Sequence, residues 1–345
     1  MIFSDKTQPM VSVLIATYNQ EEYIAQTLDS ILMQQCSFDF EIIIGEDCST
    51  DKTREICFDY QKRYPEKIVL CLNETNKGLL DNYFDIFLKT RGKYIADCGG
   101  DDYWVSTNKL QEQVDLLENH PELSLVASNW SMYIMQDGLL VDAPGQIKED
   151  WYKPDLYGKK AVISYLNEAV IPRVVLSTSC FRRDLAMEAY LARPELFRSK
   201  KATCEDLPLT LCLLMKGPFY FKADNWLVYR VLNNSVSHSE NRNEYVSGFA
   251  YNTFKQTVCL ANDLDIKYID ISAYIDKWIA NFTLHAFIVS DVKLMRDIRH
   301  FTQIQGISLK KKQILLSFMM AVPGLYGFSR WLYLSLKKSI NNSAL

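Results

Sequence analysis

The sequence predicts an α/β protein, a Rossmann-like open mixed sheet flanked by helices, followed by a helical C-terminal extension. Three observations predict it. Residues 11–16 (VSVLIA) and 40–45 (FEIIIG) are short, largely apolar runs, the pattern of strands buried on both faces. Each is followed by a helix-like stretch, so the order is β-α-β-α. Polar clusters stand directly after the strands, at 17–22, 46–51 and 97–102. In open parallel sheets ligands bind outside the carboxyl ends of the strands, where these clusters fall.

The elements follow in chain order. The first strand breaks into Thr17, Tyr18, Asn19, Gln20, Glu21 and Glu22, after which Ile24, Leu28, Ile31 and Leu32 recur at helical spacing. The second breaks into Glu46 and Asp47, and a capping-type Ser49-Thr50-Asp51 predicts a helix over 51–64. Residues 93–104 (KYIADCGGDDYW) read as a strand that stops at Asp97, then two glycines and two adjacent carboxylates. Glycines let a ligand approach the backbone, and Asp101 with Asp102 offers the hard oxygens that Mg²⁺ or Mn²⁺ prefers. Such ions complete their shell with substrate phosphates, so the pattern points to a phosphorylated ligand; a solvated turn is the alternative.

Residues 124–128 read as a further short strand, and 135–156, rich in Asp, Gly and Pro, as a mobile loop carrying Trp151 and Tyr152. Residues 207–216 form an apolar helical run with Pro208 near its start. Asp206 therefore stands at or beside the N-cap, where the macrodipole favours its ionised form and lowers its pKa. Pure capping is the alternative role. Trp104, Trp130 and Trp151 are candidates for stacking on sugars or for packing in their own domain. Arg173, Arg182 and Arg183 either meet a phosphate or belong to a solvated face.

Beyond residue 243 the chain turns to long helical periodicity, with breaks expected at 262–265 and 305–308. The tail carries Lys310, Lys311 and Lys312, apolar runs interrupted by Pro323 and Gly324, and Lys337 with Lys338. Segment 310–338 is too interrupted for a membrane span and fits a membrane interface beside anionic lipid, or a helical pair packing on its own domain or in a homodimer.

Composition narrows the function. A chain of 345 residues, 48% hydrophobic and of net charge −4, can bury a large core and has no bulk signature of nucleic-acid binding. Nine cysteines without C-x-x-C spacing read as small buried residues in a reducing compartment. Residues 1–10 lack the apolar core of a secretory signal, so a cytoplasmic location is expected, peripheral on the inner face of the cytoplasmic membrane if the tail meets lipid. No G-x-G-x-x-G follows the first strand, against a nicotinamide dehydrogenase. A nucleotidyltransferase would carry a glycine-rich loop with a cation there, and 17–22 has neither.

In this order the segments resemble the inverting family 2 glycosyltransferases of the GT-A type. Residues 11–19 resemble the opening strand and nucleotide-contact loop, 45–51 (GEDCSTD) the acidic Asp-Asp-Gly-Ser-x-Asp segment, and Asn76-Lys77-Gly78 the Asn-x-Gly loop. Residues 100–104, with Lys109, Leu110 and Gln111 behind them, resemble the metal segment. Cys204-Glu205-Asp206 resembles the acceptor-side Glu-Asp, and Tyr229-Arg230 with 235–237 the segment that closes the domain. The resemblance covers about 9–240. It implies a domain over 1–242, with a nucleotide half at 9–122 and an acceptor half at 123–242, and an extension over 243–345.

The resemblance implies roles as well. Thr17, Tyr18, Asn19, Glu22, Lys77 and Gly78 would line the nucleotide, and Asp47 would accept from the base, which favours a uridine nucleotide. Asp101 would hold Mn²⁺ or Mg²⁺, with Asp102 and His238 as further ligands. Asp206 would be the general base, with Glu205 as its alternative. The donor would be a nucleotide-diphosphate sugar and the acceptor a saccharide or lipid-linked sugar, in polysaccharide assembly at the cell envelope. One departure stands out: the first Asp of the family's Asp-x-Asp is Gly99 here. A non-catalytic nucleotide- or sugar-binding protein of the same fold is therefore the alternative; Asp97, two residues further back, points away from the metal site if the strand runs through it, or requires a bulge to reach it.

Overall fold

The computed structural model describes residues 8–198, 203–232 and 242–322, the backbone of 234–235 and 238–239, and 326–327 with 329–331. The chain divides into two compact units, Met1–His238 and Ser239–Leu345. In the first unit the order is β1 (Val11–Thr17), α1 (Ile24–Leu32), β2 (Phe40–Glu46), α2 (Thr53–Arg63), β3 (Ile68–Leu72), α3 (Leu79–Phe87), β4 (Tyr94–Asp97), β5 (Tyr103–Trp104) and α4 (Lys109–Asn119). It continues with β6 (Leu125–Ile134), β7 (Leu139–Asp142), β8 (Trp151–Tyr152), α5 (Lys159–Leu166), β9 (Cys180–Arg182), α6 (Arg183–Ala192), α7 (Pro194–Arg198), α8 (Asp206–Lys216) and β10 (Phe219–Val231).

These strands form one sheet in the order β3-β2-β1-β4-β9-β6-β10-β5, with β7 on β6 and β8 on β10. The pairs β3-β2, β2-β1, β1-β4 and β6-β10 are parallel, while β9 runs against both its neighbours. Every residue of β2 is buried, as is all of β1 except the half-buried Ala16, because helices cover both faces. Register then aligns the carboxyl ends: Thr17 pairs with Glu46, and Leu14 with Asp97. Since β4 stops three residues short of Thr17, residues 98–102 cross above the sheet edge beside the loops of β1 and β2.

The opposite edge is locked. Ser12 Oγ donates to Glu41 Oε1 at 2.7 Å, Arg91 donates to Glu41 Oε2 through Nε at 2.9 Å, and the Gly92 amide donates to Ser12 Oγ at 2.9 Å. Gly92 is required there, because a Cβ would lie 2.5 Å from the Ser12 nitrogen.

Several expectations change on folding. The strand expected at 124–128 extends to Ile134, and the loop expected at 135–156 contains β7 and β8. Asp150 fastens it by accepting from the Ala223 amide at 2.8 Å and the Tyr220 hydroxyl at 2.9 Å, while Trp151 packs edge-on against Phe221. Trp104 is 1% exposed, donates from Nε1 to the Ser177 carbonyl at 3.0 Å and lies under Lys109, so it is a core residue with no face for a sugar. Arg182 donates to the carbonyls of Leu117 and Leu123, and Arg183 to Thr90, so both are structural. All nine cysteines are free thiols.

In the second unit the helices Tyr251–Asp263, Ser272–Val289, Val292–Ile304 and Lys311–Ala321 follow a π-helical turn, Tyr245–Ala250. Phe254, Ile279, Phe282, Phe287 and Ile298 form their core. Breaks fall where expected and also at Ser290, which takes a left-handed φ of 66°, and Asp291, which caps the next helix by accepting from the Leu294 amide. The last helix is inverted: Gln313 and Ser317 are buried, whereas Ile314, Leu315 and Phe318 are more than half exposed. No helix among the described residues is long and apolar enough to cross a membrane.

Candidate functional site

The loops after β1 and β2 are clamped to each other. Asn19, at a left-handed φ of 52°, donates its amide to Ser49 Oγ at 3.0 Å and accepts from the Thr50 amide at 2.8 Å. Asp51 accepts from the Glu21 amide at 3.1 Å, and Glu21 from the Lys52 amide at 2.7 Å. Thr17 is buried and donates to Gln20 Oε1 at 2.7 Å, whereas Tyr18 and Asn19 face solvent.

Asp47 shapes the third loop. Its Oδ1 accepts from Asn73 Nδ2 at 2.8 Å and the Lys77 amide at 2.9 Å, and its Oδ2 from the Gly78 amide at 2.8 Å. A carboxylate has about four acceptor positions, which leaves room for about one more donor. Gly78, at φ 86°, begins α3, and the Lys77 ammonium is paired with Asp85 at 2.7 Å.

Asp101 and Asp102 converge over Gly99. A Cβ on Gly99 would lie 3.0 Å from Asp101 Oδ1 and 3.2 Å from Asp102 Oδ2, so their carboxylates fill the space that a longer side chain would use. Asp102 accepts from the Arg230 amide at 3.0 Å and has the Ser177 hydroxyl on its carboxylate. Arg230 is 5% exposed, donates to the Asp101 carbonyl and to Gln26 Oε1, and stacks on Tyr23 and Tyr103. Burial pushes the Asp101 carboxyl up, and burial together with the Asp101 charge pushes Asp102 well above the usual carboxylate range. Asp101 is half-buried and Asp102 buried, both short of cationic partners, with Asp101 the less occupied; a pair of carboxylates can hold a divalent cation only with further ligands, since among the described residues no group of three or more His, Cys, Asp or Glu is placed to bind one. The side chain of His238 lies outside the described residues.

Further along the chain, Asp206 opens α8 and Glu205 is its N-cap, without a side-chain capping bond. Burial raises Asp206 to about 6 against the pull of Arg173, and raises Glu205 well above its ordinary value with the Asp206 and Asp97 charges adding to it. This corrects the expectation of a lowered pKa, because desolvation outweighs the helix-dipole effect of about 1 kcal/mol. Asp97, at the end of β4, is raised to about 7 by burial and then by the Asp206 charge.

Sequence reasoning missed the part of Arg230, read only within a closing segment, and the cleft beside it. That cleft, about 420 Å³, is lined by Glu22, Tyr23, Gln26, Tyr103, Tyr133 and Arg230 among others. Glu22, expected at the nucleotide, faces this cleft. Nothing local in the sequence brings together α1, β5 and the ends of β6 and β10.

Residues 12–140 match the family described as Glycosyl transferase family 2. Rv1520 of Mycobacterium tuberculosis is 43% identical over 115 residues, 33% of each chain. The match thus spans about a third of the length of the first curated relatives. TuaG of Bacillus subtilis, named a teichuronic acid biosynthesis glycosyltransferase, is 29% identical over 246 residues, 71% of this chain and 88% of that one. The fold is shared with S. aureus TarS 1–349 in complex with UDP-GlcNAc, at a TM-score of 0.65 and 15% identity over 96% of this chain and 92% of that one.

Replacing Asp47 by Asn leaves one acceptor oxygen and turns an N–H donor toward a backbone N–H. Native-state hydrogen exchange at the Lys77 and Gly78 amides is expected to speed up by about tenfold or more at one of the two, since a lost charged hydrogen bond is worth roughly 1.5–3 kcal/mol. Unchanged protection at both would show that other contacts hold the loop.

Proposed function

We propose that the chain is a family 2 glycosyltransferase of the GT-A fold, the family whose model residues 12–140 match, and that it transfers a sugar from a nucleotide-diphosphate sugar, UDP-linked by preference, to a hydroxyl of a saccharide or lipid-linked acceptor. The observation that carries the reading is the convergence of three groups at one edge of the sheet. These are the clamped loops around Asn19 and Asp47, the carboxyl pair over Gly99, and Asp206 with a raised proton affinity on the acceptor side.

Asp206 acts as general base. Its carboxylate takes the acceptor O–H proton while that oxygen bonds to the anomeric carbon. The bond from that carbon to the diphosphate oxygen breaks, the electron pair leaves with the nucleoside diphosphate, and configuration inverts. A base is most effective with a pKa near the working pH, and about 6 suits neutral conditions better than an ordinary carboxylate. Glu205 fits less well, because its Oε2 is buried without a partner. Asp101 would hold Mn²⁺ or Mg²⁺, which when bound supplies Lewis-acid stabilisation of the leaving diphosphate. Arg230 and Gln20 orient Asp101 through its carbonyl and carboxylate. Gly99 is compatible with this reading, since the Asp101 and Asp102 carboxylates occupy the space that a longer side chain there would use.

The inverted helix Lys311–Ala321 supports contact with an anionic membrane surface. Exposed Lys311 and Lys312 stand at its start, and Ile314, Leu315 and Phe318 form one apolar stripe. Each lysine near such a surface contributes about 1 kcal/mol, which suits peripheral binding on the inner face of the cytoplasmic membrane.

Calorimetry on the full chain is expected to show UDP binding in preference to GDP and dTDP, strengthened by Mn²⁺, with Asp101→Ala losing about tenfold or more of that strengthening. No binding of any of the three would overturn the donor assignment. In sedimentation with vesicles, phosphatidylglycerol-containing membranes should retain the chain better than phosphatidylcholine alone, and the double change Ile314→Ser with Phe318→Ser should release it. Equal partition to both vesicles, or a salt-independent dimer in their absence, would give the apolar stripe to a second copy.

A further inference from the structure

Residues 98–102 carry the carboxyl pair, yet no strand or helix holds them, since they turn irregularly between β4 and β5. One face of α1 holds them instead. Along this helix and the residues that flank it, Tyr23, Thr27, Ser30 and Gln34 recur at helical spacing, and the last three are buried polar side chains. They bond in turn to the chain that follows the glycines. The Thr27 hydroxyl has one proton and two carbonyl oxygens within reach, that of Asp102 at 2.6 Å and that of Gly100 at 3.0 Å. Ser30 Oγ accepts from the Trp104 amide at 3.1 Å. Gln34 donates to the Ser106 carbonyl at 2.6 Å and accepts from the Leu110 amide at 3.0 Å. Tyr23 lies under Arg230, whose guanidinium donates to the Asp101 carbonyl. The three carbonyls from Gly100 to Asp102 thus all have a side-chain donor, and one threonine serves those on both sides of Asp101.

Hydrophobic contact is non-directional, so apolar residues alone would dock α1 without fixing this turn. Ile24, Leu28 and Ile31 already bury the helix in the core. A hydroxyl bonded on both sides of Asp101 instead fixes the backbone that aims its carboxylate. The helix also starts from the nucleotide loop, the amides of Tyr23 and Ile24 each donating to the Gln20 carbonyl at 3.0 Å. One element therefore ties the loop of Asn19 to the turn of Asp101. Resting on the reading of Asp101 as metal ligand, we propose that Thr27 is a positioning residue for it, holding the turn so that the carboxylate stands in place before a divalent cation and a diphosphate arrive. Being fully buried, Thr27 touches neither ligand and acts only through the backbone of residues 100–102.

Calorimetry of UDP binding to the full chain, with and without Mn²⁺, separates this role from a structural one. Thr27→Val closely keeps the shape of the side chain and removes the donor. Its affinity for UDP alone should match the wild type, while the strengthening by Mn²⁺ should fall by about tenfold, as when a partner behind a metal ligand is removed. Thr27→Ser keeps the hydroxyl and should restore the strengthening. A Thr27→Val chain that is folded by circular dichroism and keeps the full strengthening, or that loses UDP affinity equally with and without Mn²⁺, would overturn the proposal. If Thr27→Val does not fold, Ser30→Ala, which frees the Trp104 amide, takes its place: it should weaken the Mn²⁺ effect, and wild-type strengthening in it would overturn the proposal. Wild-type UDP binding that Mn²⁺ does not strengthen would overturn it as well. Failure of the transfer reading is seen separately, as absence of any nucleotide binding by the wild type.

Discussion

The structure depends on carboxyl groups gathered, largely out of water, at the carboxyl edge of one sheet with too few cations to match them. Asp97, Asp101, Asp102, Glu205 and Asp206 lie there, and burial raises each of them. Glu46 and Asp47 are handled differently. Glu46 pairs with Arg54 and Asp47 with two backbone amides and Asn73, which makes them builders of the loops. Charge satisfied by the protein positions backbone; charge left unsatisfied awaits a ligand or a proton.

The two edges of the sheet make the contrast plain. At the amino edge, Glu41 is neutralised by Arg91 and bonded to Ser12, and Gly92 lets the backbones close together. At the carboxyl edge, glycine serves another end, since Gly99 gives its space to two carboxylates. Arg230, the nearest strong cation, spends its donors on the Asp101 carbonyl and Gln26 and its faces on Tyr23 and Tyr103. It braces the carboxyl pair without fully neutralising it.

Strands β1, β2, β4 and the start of β6, with helices α1, α2 and α8, were legible because an apolar run buried on both faces has one way to satisfy its backbone, and polar residues mark where it ends; β3, β9, β10, α3, α5 and α6 were not anticipated. The positions of Asn19, Asp47, Asp101 and Asp206 at strand or helix ends followed from the same signal. Residues 135–156 were misread because loop-like composition hid polar partners distant in sequence, such as Asp150 to Ala223. Of the two readings of Trp104 the structure takes packing in its own domain, its indole nitrogen being satisfied by Ser177 and its face by Lys109. The ionisation of Asp206 could not be read locally at all. A helix start argues for a lower pKa, and only the fold reveals the burial that outweighs it.

The most direct test of the account is a crystal structure of the full chain with UDP and Mn²⁺. The account predicts the base beside Asp47 and the loop of Asn19, and the diphosphate with its metal at Asp101. A nucleotide seated in the cleft of Tyr23, Tyr103 and Tyr133, with its diphosphate away from Asp101, would contradict it.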